Sequence, residues 1–587
     1  MKQFRKTLCL TAAIFAVLFA SCSKNTSAGM KNGTYTGTGE GKGGNISVEV
    51  TVKGGTVKDI KVLSHNETPG FDKAMDTLKE QVIKTGSTAL DTVSGCTLTS
   101  KGFLQAVGAA ITQAGGNPET NTAKTAVSVK KEAKEQNCDV VIIGAGGAGL
   151  AAAIEAKTAG ADILILEKMP MAGGNTLISG AEMAAPNNWI QQRDGITDSP
   201  EQFAKDMMKG GDNINNPELV NVIARSALDG AKWLRDECGV VWEDSLMFFG
   251  GHSVKRSLIP AGASGKELIA KMLAKAESLK IPILYKTAAL ELIQDKDGRV
   301  TGVIAESDTA KYTIHAKKAV IIASGGFGSN IEMRKKYNPA VDETILSTNT
   351  VGSTGDGIIM AEKIGAALTD MEYIQTYPIC DPLTGTLLYF DDARLYGHSV
   401  IVNKEGKRFV EELDRRDVIS MAIKAQTGHC CYEIIDRRGF EESHLQENHA
   451  PEISYLMKNN LLTKADTLEK AAEFFGIDQK EVVETVKRYN SYVAKGKDEE
   501  FNKRSMVHPI EQGPFYILKA VPAVHHTMGG IKINTKAQVL KADGSVIPGL
   551  FAAGEVTGGV HGKNRLGSDA IADIIVFGRI AGKTAAQ

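Results

Sequence analysis

Between residues 138 and 168 the chain reads CDVVIIGAGGAGLAAAIEAKTAGADILILEK. An apolar run meets three glycines, Gly144, Gly146 and Gly149, in the spacing G-x-G-x-x-G; a small-residue stretch follows, then a second apolar run that ends at Glu167. That order predicts strand, tight turn, helix, strand, which is the opening βαβ unit of a nucleotide-binding α/β domain. The glycines bring backbone N–H groups and a helix N-terminus close to a pyrophosphate. Glu167 stands 23 residues after Gly144, where an acid accepts hydrogen bonds from ribose hydroxyls. The turn Gly144, Ala145, Gly146, Gly149 and the acid Glu167 are therefore the first candidate cofactor residues.

A chain of 587 residues is too long for one core. Residues 30–116 alternate Gly-rich turns with period-two strands, Ile46, Val48, Val50 and Val52 sharing one face, and then a helix: a small α+β module. Residues 117–136 are polar and charged, the composition of a tether. The α/β texture covers 137–371 and returns over 508–587, so 372–507 reads as an inserted cap. Lys plus Arg (68) nearly cancels Asp plus Glu (69) without long basic runs, which points away from nucleic acid and toward a small-molecule partner.

Residues 1–21 have a basic start and an apolar run too short to span a bilayer, an export signal. LFASC resembles a bacterial lipobox, which implies cleavage before Cys22, lipid on its thiol, and an exported chain anchored on the extracytoplasmic or periplasmic side of a membrane. The other cysteines form no C-x-x-C pair, and no metal is expected.

Three further motifs, GGNT (173–176), TGDG (354–357) and AAGEVTGGVHG (552–562), join the glycine turn. Together they resemble the flavoprotein subunits of fumarate reductases and succinate dehydrogenases, especially the soluble flavocytochrome-type fumarate reductases. The resemblance implies non-covalent FAD held by Gly144, Ala145, Gly146, Gly149, Glu167, Asn175, Thr176, Asp356, Glu555 and Ser568. DTVSGCTLTS (91–100) resembles the flavinylation motif of FMN-binding domains. It implies a flavin transferase as partner and covalent FMN, as a phosphoester at Thr97, relaying electrons to FAD. The fold expected is thus multidomain: an FAD-binding Rossmann-like domain with an inserted mobile cap, preceded by a small α+β FMN-binding domain.

The same resemblance assigns the chemistry. VHHTMGG and HGKNRLGSDA give His525 and Arg565, which hold a substrate carboxylate, and Arg416 matches the proton donor, recharged by a neighbouring acid. Where fumarate reductases place donors for a second carboxylate, this chain has Tyr377 and Asp391; the glutamate of the family's relay becomes Asp392, and its later arginine falls near Leu395 or Arg394. Glu182 adds another acid. Acceptors and negative charge there disfavour fumarate and favour a flat group bearing N–H donors. This resembles the family's urocanate reductases, with Glu182 and Asp392 on the imidazole nitrogens, Tyr377 against the ring, and reduction of urocanate to imidazole propionate. Asp391 stays open between ligand, helix cap and solvent-facing residue. Other 2-enoates (fumarate, cinnamate, acrylate) and a flavin electron-transfer lipoprotein are the competing readings; a quinol-linked or extracellular protein is the expected electron donor, in anaerobic respiration.

Overall fold

The structure, a computed structural model, describes residues 30–41, 44–65, 67, 72–90, 92, 97–119 and 131–587. Cys22, Asp91, Ser94, Gly95 and Cys96 lie outside the described residues, as does the side chain of Thr97, which opens the helix Thr97–Gln113.

The N-terminal module is an antiparallel sheet of Gly33–Gly41, Gly44–Lys53 and Thr56–Ser64. Ile46, Val48, Val50 and Val52 are fully buried, as their period predicts. The glycines of its first strand do more than turn the chain. A Cβ at Gly37 or Gly39 would run into the backbone of Ala106 or Gly102, so these glycines let the helix Thr97–Gln113 lie directly on the strand. Thr99 donates to Glu67, which sets that acid against the start of the helix.

The FAD-type domain is built on the parallel strands Ile283–Leu284, Ile163–Leu166, Glu132–Ile143, Ala310–Ile322 and Val546–Ala552, adjacent in that order. Their apolar runs read as continuous because both faces are covered. On one side the buried helix Asp569–Ala586 crosses Gly147–Thr158 so closely that a Cβ at Gly578 or Gly582 would strike the carbonyls of Ala148 or Ala152. The strand Glu132–Ile143 begins inside the stretch expected to be tether: residues 132–136 pair with 310–314. Exposed and polar, they are held by the backbone ladder alone, which composition does not reveal.

The cap has its own apolar clusters. Its sheet is organised by one long strand, Phe515–Thr527. Residues 515–520 pair with Cys431–Ile435 and Leu462–Ala465, whereas residues 521–527 pair with Ile374–Cys380 and, at 523–524, with Leu346–Ser347. The cap therefore reaches past the expected boundary at 507. No described helix is long and apolar enough to cross a membrane. The described cysteines, Cys138, Cys238, Cys380, Cys430 and Cys431, are buried and free.

Candidate active site

At the C-terminal ends of the parallel strands lies a cleft lined by Gly144, Gly146, Glu167, Asn175, Thr176, Asp356 and Glu555 among others. This is where an open α/β sheet binds its ligand. Gly144 has φ +107°, and a Cβ there or at Gly149 would collide with backbone, so both fix the turn. Gly146 differs: a Cβ would meet nothing nearer than the Gly173 carbonyl at 3.9 Å and would only fill the cleft in front of the helix Gly147–Thr158. The carboxylate of Glu167 accepts from Ala145 N (2.9 Å) and Met169 N (2.8 Å), which sets it at the edge of the turn. Burial pushes its pKa up while these N–H groups oppose the rise.

Asn175 donates to Asn349 Oδ1 (2.6 Å) and to Glu555 Oε2 (3.3 Å), and accepts from Thr350 N (2.9 Å). Lys168 reaches across to Asp356 Oδ2 (2.7 Å) and Thr354 Oγ1 (2.6 Å), contacts that sequence reasoning missed. Ser324 Oγ, also in the lining, is buried without a partner, a hydrogen-bonding atom left for a ligand. Ser568 is not among the cleft residues; at φ +67° it precedes the helix Asp569–Ala586, its hydroxyl against Ser257 Oγ at 2.6 Å.

Beyond the cleft the FAD-type domain and the cap face each other across two buried guanidinium groups. Arg565 donates Nη2 to Gln375 Oε1 (3.0 Å) and Nη1 to Leu566 O (2.9 Å), while its Nε is buried unpartnered. Burial and the neighbouring Arg416 push its pKa down to about 10. Arg416 opens the helix Arg416–Lys424 and packs its guanidinium over the rings of Tyr377 (4.8 Å) and Phe249 (5.9 Å). Among the described residues no carboxylate makes a salt bridge to Arg416, and burial lowers its pKa. Arg415 next door pairs with Asp212 and Asp417. His525 sits 5.5 Å from the Tyr377 ring with Nδ1 3.0 Å from Thr348 Oγ1. Burial, Arg565 and Arg416 keep His525 neutral, its pKa well below the usual range. Two buried guanidiniums that, among the described residues, make no salt bridge to a carboxylate form a site that calls for an anion.

The acids divide. Asp391 is wholly buried and spent inside the protein: Arg394 donates Nε and Nη2 to its two oxygens (2.6 Å each), and Tyr377 Oη donates at 2.6 Å. It is neither substrate ligand nor solvent-facing; it fixes Tyr377. Arg394, not Leu395, is the arginine beside the acid pair. Asp392 is partly open, its Oδ2 3.5 Å from His449 Nε2. Glu182 has its pKa pushed up to about 7, first by burial and then by Asp392, while Arg416 and Arg565 oppose the rise. The expected residues Glu182, Tyr377, Asp392, Arg416, His525 and Arg565 thus come together. Sequence reasoning missed Gln375, two residues before Tyr377 in the strand Ile374–Cys380, the fully buried His526, and His449.

Residues 139–571 match the FAD binding domain family and residues 41–112 the FMN-binding domain family. The chain belongs to the FAD-binding flavoprotein family. It is 48% identical over 556 residues to a urocanate reductase of Eggerthella lenta, covering 94% of this chain and 92% of that one. It is 40% identical to a cytochrome-type fumarate reductase of Shewanella frigidimarina, covering 78% of each. Among solved structures, the open conformation of a flavocytochrome c3 fumarate reductase superposes with a TM-score of 0.67 at 39% identity, covering 77% of this chain and 78% of that one. The chain is an FAD-dependent oxidoreductase acting on carbon–carbon double bonds. The open face of Gly146, the orphaned Ser324 hydroxyl and the Glu167 carboxylate fit an FAD in the cleft.

Proposed function

We propose that this protein reduces the conjugated double bond of urocanate to give imidazole propionate. The observation that carries the reading is the mixed polarity of the site: two buried guanidiniums that, among the described residues, make no salt bridge to a carboxylate, together with the acids Glu182 and Asp392. Urocanate has that polarity, with a carboxylate at one end and an imidazole at the other. A dicarboxylate would set its second charge against acids. The relative of Eggerthella lenta carries the same activity in its name.

In this reading Arg565 and His525 hold the carboxylate, Arg565 by its fork and neutral His525 as a directed donor. Concentrating positive charge on the carboxylate draws electron density from the double bond. FAD, when bound, supplies the hydride that the β-carbon takes up. Arg416 delivers the proton to the α-carbon and regains one from a neighbouring acid. Tyr377, its hydroxyl tied to Asp391, offers a fixed face to the imidazole. A neutral imidazole has one acceptor and one donor nitrogen, so a protonated Glu182 can donate to the first and Asp392 can accept from the second. Covalent FMN at Thr97 relaying electrons, a lipid at Cys22 anchoring the exported chain, a flavin transferase, and a quinol-linked or extracellular electron donor belong to the same proposal; the FMN-binding family match supports the first.

The test is reoxidation of a reduced dye by urocanate, fumarate and cinnamate in parallel. Urocanate is expected to be fastest by kcat/KM; a higher value for fumarate refutes the reading.

A further inference from the structure

The cap helix Leu445–Lys458 is broken where it passes the acid pair. His449 has φ −131° and ψ 26°, outside the helical range, and Pro451 follows within the helix. Proline lacks the N–H of the helical ladder and its ring crowds the preceding turn, so the backbone departs from helix here. The side chain released by the break is aimed. The His449 ring lies parallel to Tyr389, at 6° and 4.9 Å between centroids, and its Nε2 stands 3.5 Å from Asp392 Oδ2. One turn on, Glu452 accepts from the backbone N–H groups of Tyr389 (3.1 Å) and Phe390 (2.8 Å). One helix therefore meets the acid-bearing turn twice: Glu452 accepts from its backbone, and His449 faces the Asp392 carboxylate.

The two acids of this turn are used differently. Both oxygens of Asp391 are consumed by Arg394 and Tyr377. Asp392 has only Oδ2 engaged by His449, and no described residue donates a hydrogen bond to its Oδ1. A carboxylate held by one oxygen and stacked in place presents the other in a defined direction.

We infer that His449 is a specificity-determining positioning residue: braced on Tyr389, it holds Oδ2 of Asp392 so that Oδ1 meets a ring N–H of the substrate. The inference rests on the urocanate reading. His449 touches no reacting atom; it acts through Asp392.

The test uses the full-length holoenzyme with His449→Ala and His449→Gln. Urocanate is the substrate, and cinnamate, a 2-enoate without ring nitrogens, serves as a second substrate or competitive inhibitor. The alanine variant is expected to raise KM for urocanate about tenfold, the loss of one directed hydrogen bond, with kcat within about threefold and the cinnamate constant unmoved. Glutamine, which still donates toward Asp392, restores most of the loss. An unchanged urocanate KM in the alanine variant overturns the inference, and so does an equal shift for both ligands, which marks a merely structural role. Failure of the wild-type enzyme to turn over urocanate instead overturns the functional reading, and the inference with it.

Discussion

Replacing Glu182 with glutamine separates charge from shape at the ring-binding end. Glu182 has its pKa raised from the ordinary glutamate value to about 7 by burial and by Asp392. Below about pH 7 it is a donor, the form that complements an acceptor nitrogen. Above it the site gains a second anion beside Asp392. For the wild type, kcat/KM with urocanate is therefore expected to fall above pH 7, approaching tenfold per unit. Glutamine keeps the donor at every pH, so Glu182→Gln should retain activity at pH 6.5 within several-fold and lose the alkaline limb.

Stability supplies a second reading of the same charge. An acid whose folded pKa exceeds its unfolded value has its full stabilising proton below the unfolded pKa, and that contribution is lost as pH rises through the folded pKa. Glu182→Gln should thus match the wild type near pH 4.5 and exceed it at pH 8, by on the order of 1–3 kcal/mol allowing for partial exposure. Steady-state kinetics from pH 5.5 to 9 and thermal melts at the two ends measure both. An alkaline limb that survives the substitution, together with melts that do not diverge at pH 8, refutes the assignment of the charge to Glu182.

Other perturbations probe the remaining parts. Asp391→Asn leaves the buried Arg394 without its carboxylate and should lower stability by about 3–5 kcal/mol, read by urea unfolding. Gly146→Ala adds a methyl in the open cleft at an ordinary φ of −77°; FAD affinity should fall by roughly tenfold or more while the melting temperature of the apoprotein holds. Gly149→Ala, which strikes the Gly144 carbonyl, should instead destabilise the apoprotein. Arg416→Gln should lower kcat by about 10²–10⁴ with a smaller change in KM. Thr97→Ala should abolish the flavin mass increment on that peptide, measured by mass spectrometry, and spare dye-driven reduction at the FAD site.

The glycine turn and Glu167 were legible in the sequence because their meaning is local: spacing, strand and helix lie within one βαβ unit. The nearness of His525 and Arg565 was harder to read: each stood out as a polar island, but only resemblance to a family joined them, since 40 residues separate them along the chain. Asp391 and Asp392 are adjacent in sequence, yet their side chains meet different partners. In the short helical turn adjacent side chains leave the backbone in different directions, one toward Arg394 and Tyr377 and the other toward His449. Arg394, three residues after Asp391, was the available clue. Nothing near Asp392 in sequence announces His449, nor does anything near Lys168 announce Asp356; such partners are set by how the cap and the sheet return to each other. The polar residues 132–136 misled for the opposite reason, because a strand running past its core is fixed by backbone pairing rather than by what its side chains bury.

The strand Phe515–Thr527 begins among cap strands and ends with His525 at the carboxylate clamp. A single continuous ribbon shared by two bodies would serve as an axle for any swing of the cap. Points on an axle barely travel. In such a swing His525 would keep its place, whereas Asp392 and His449, carried by the cap, would move. Such an enzyme would grasp its substrate by the acid tail while ajar and interrogate the ring only as it shuts, so that a wrong ring is rejected at closure rather than at the door.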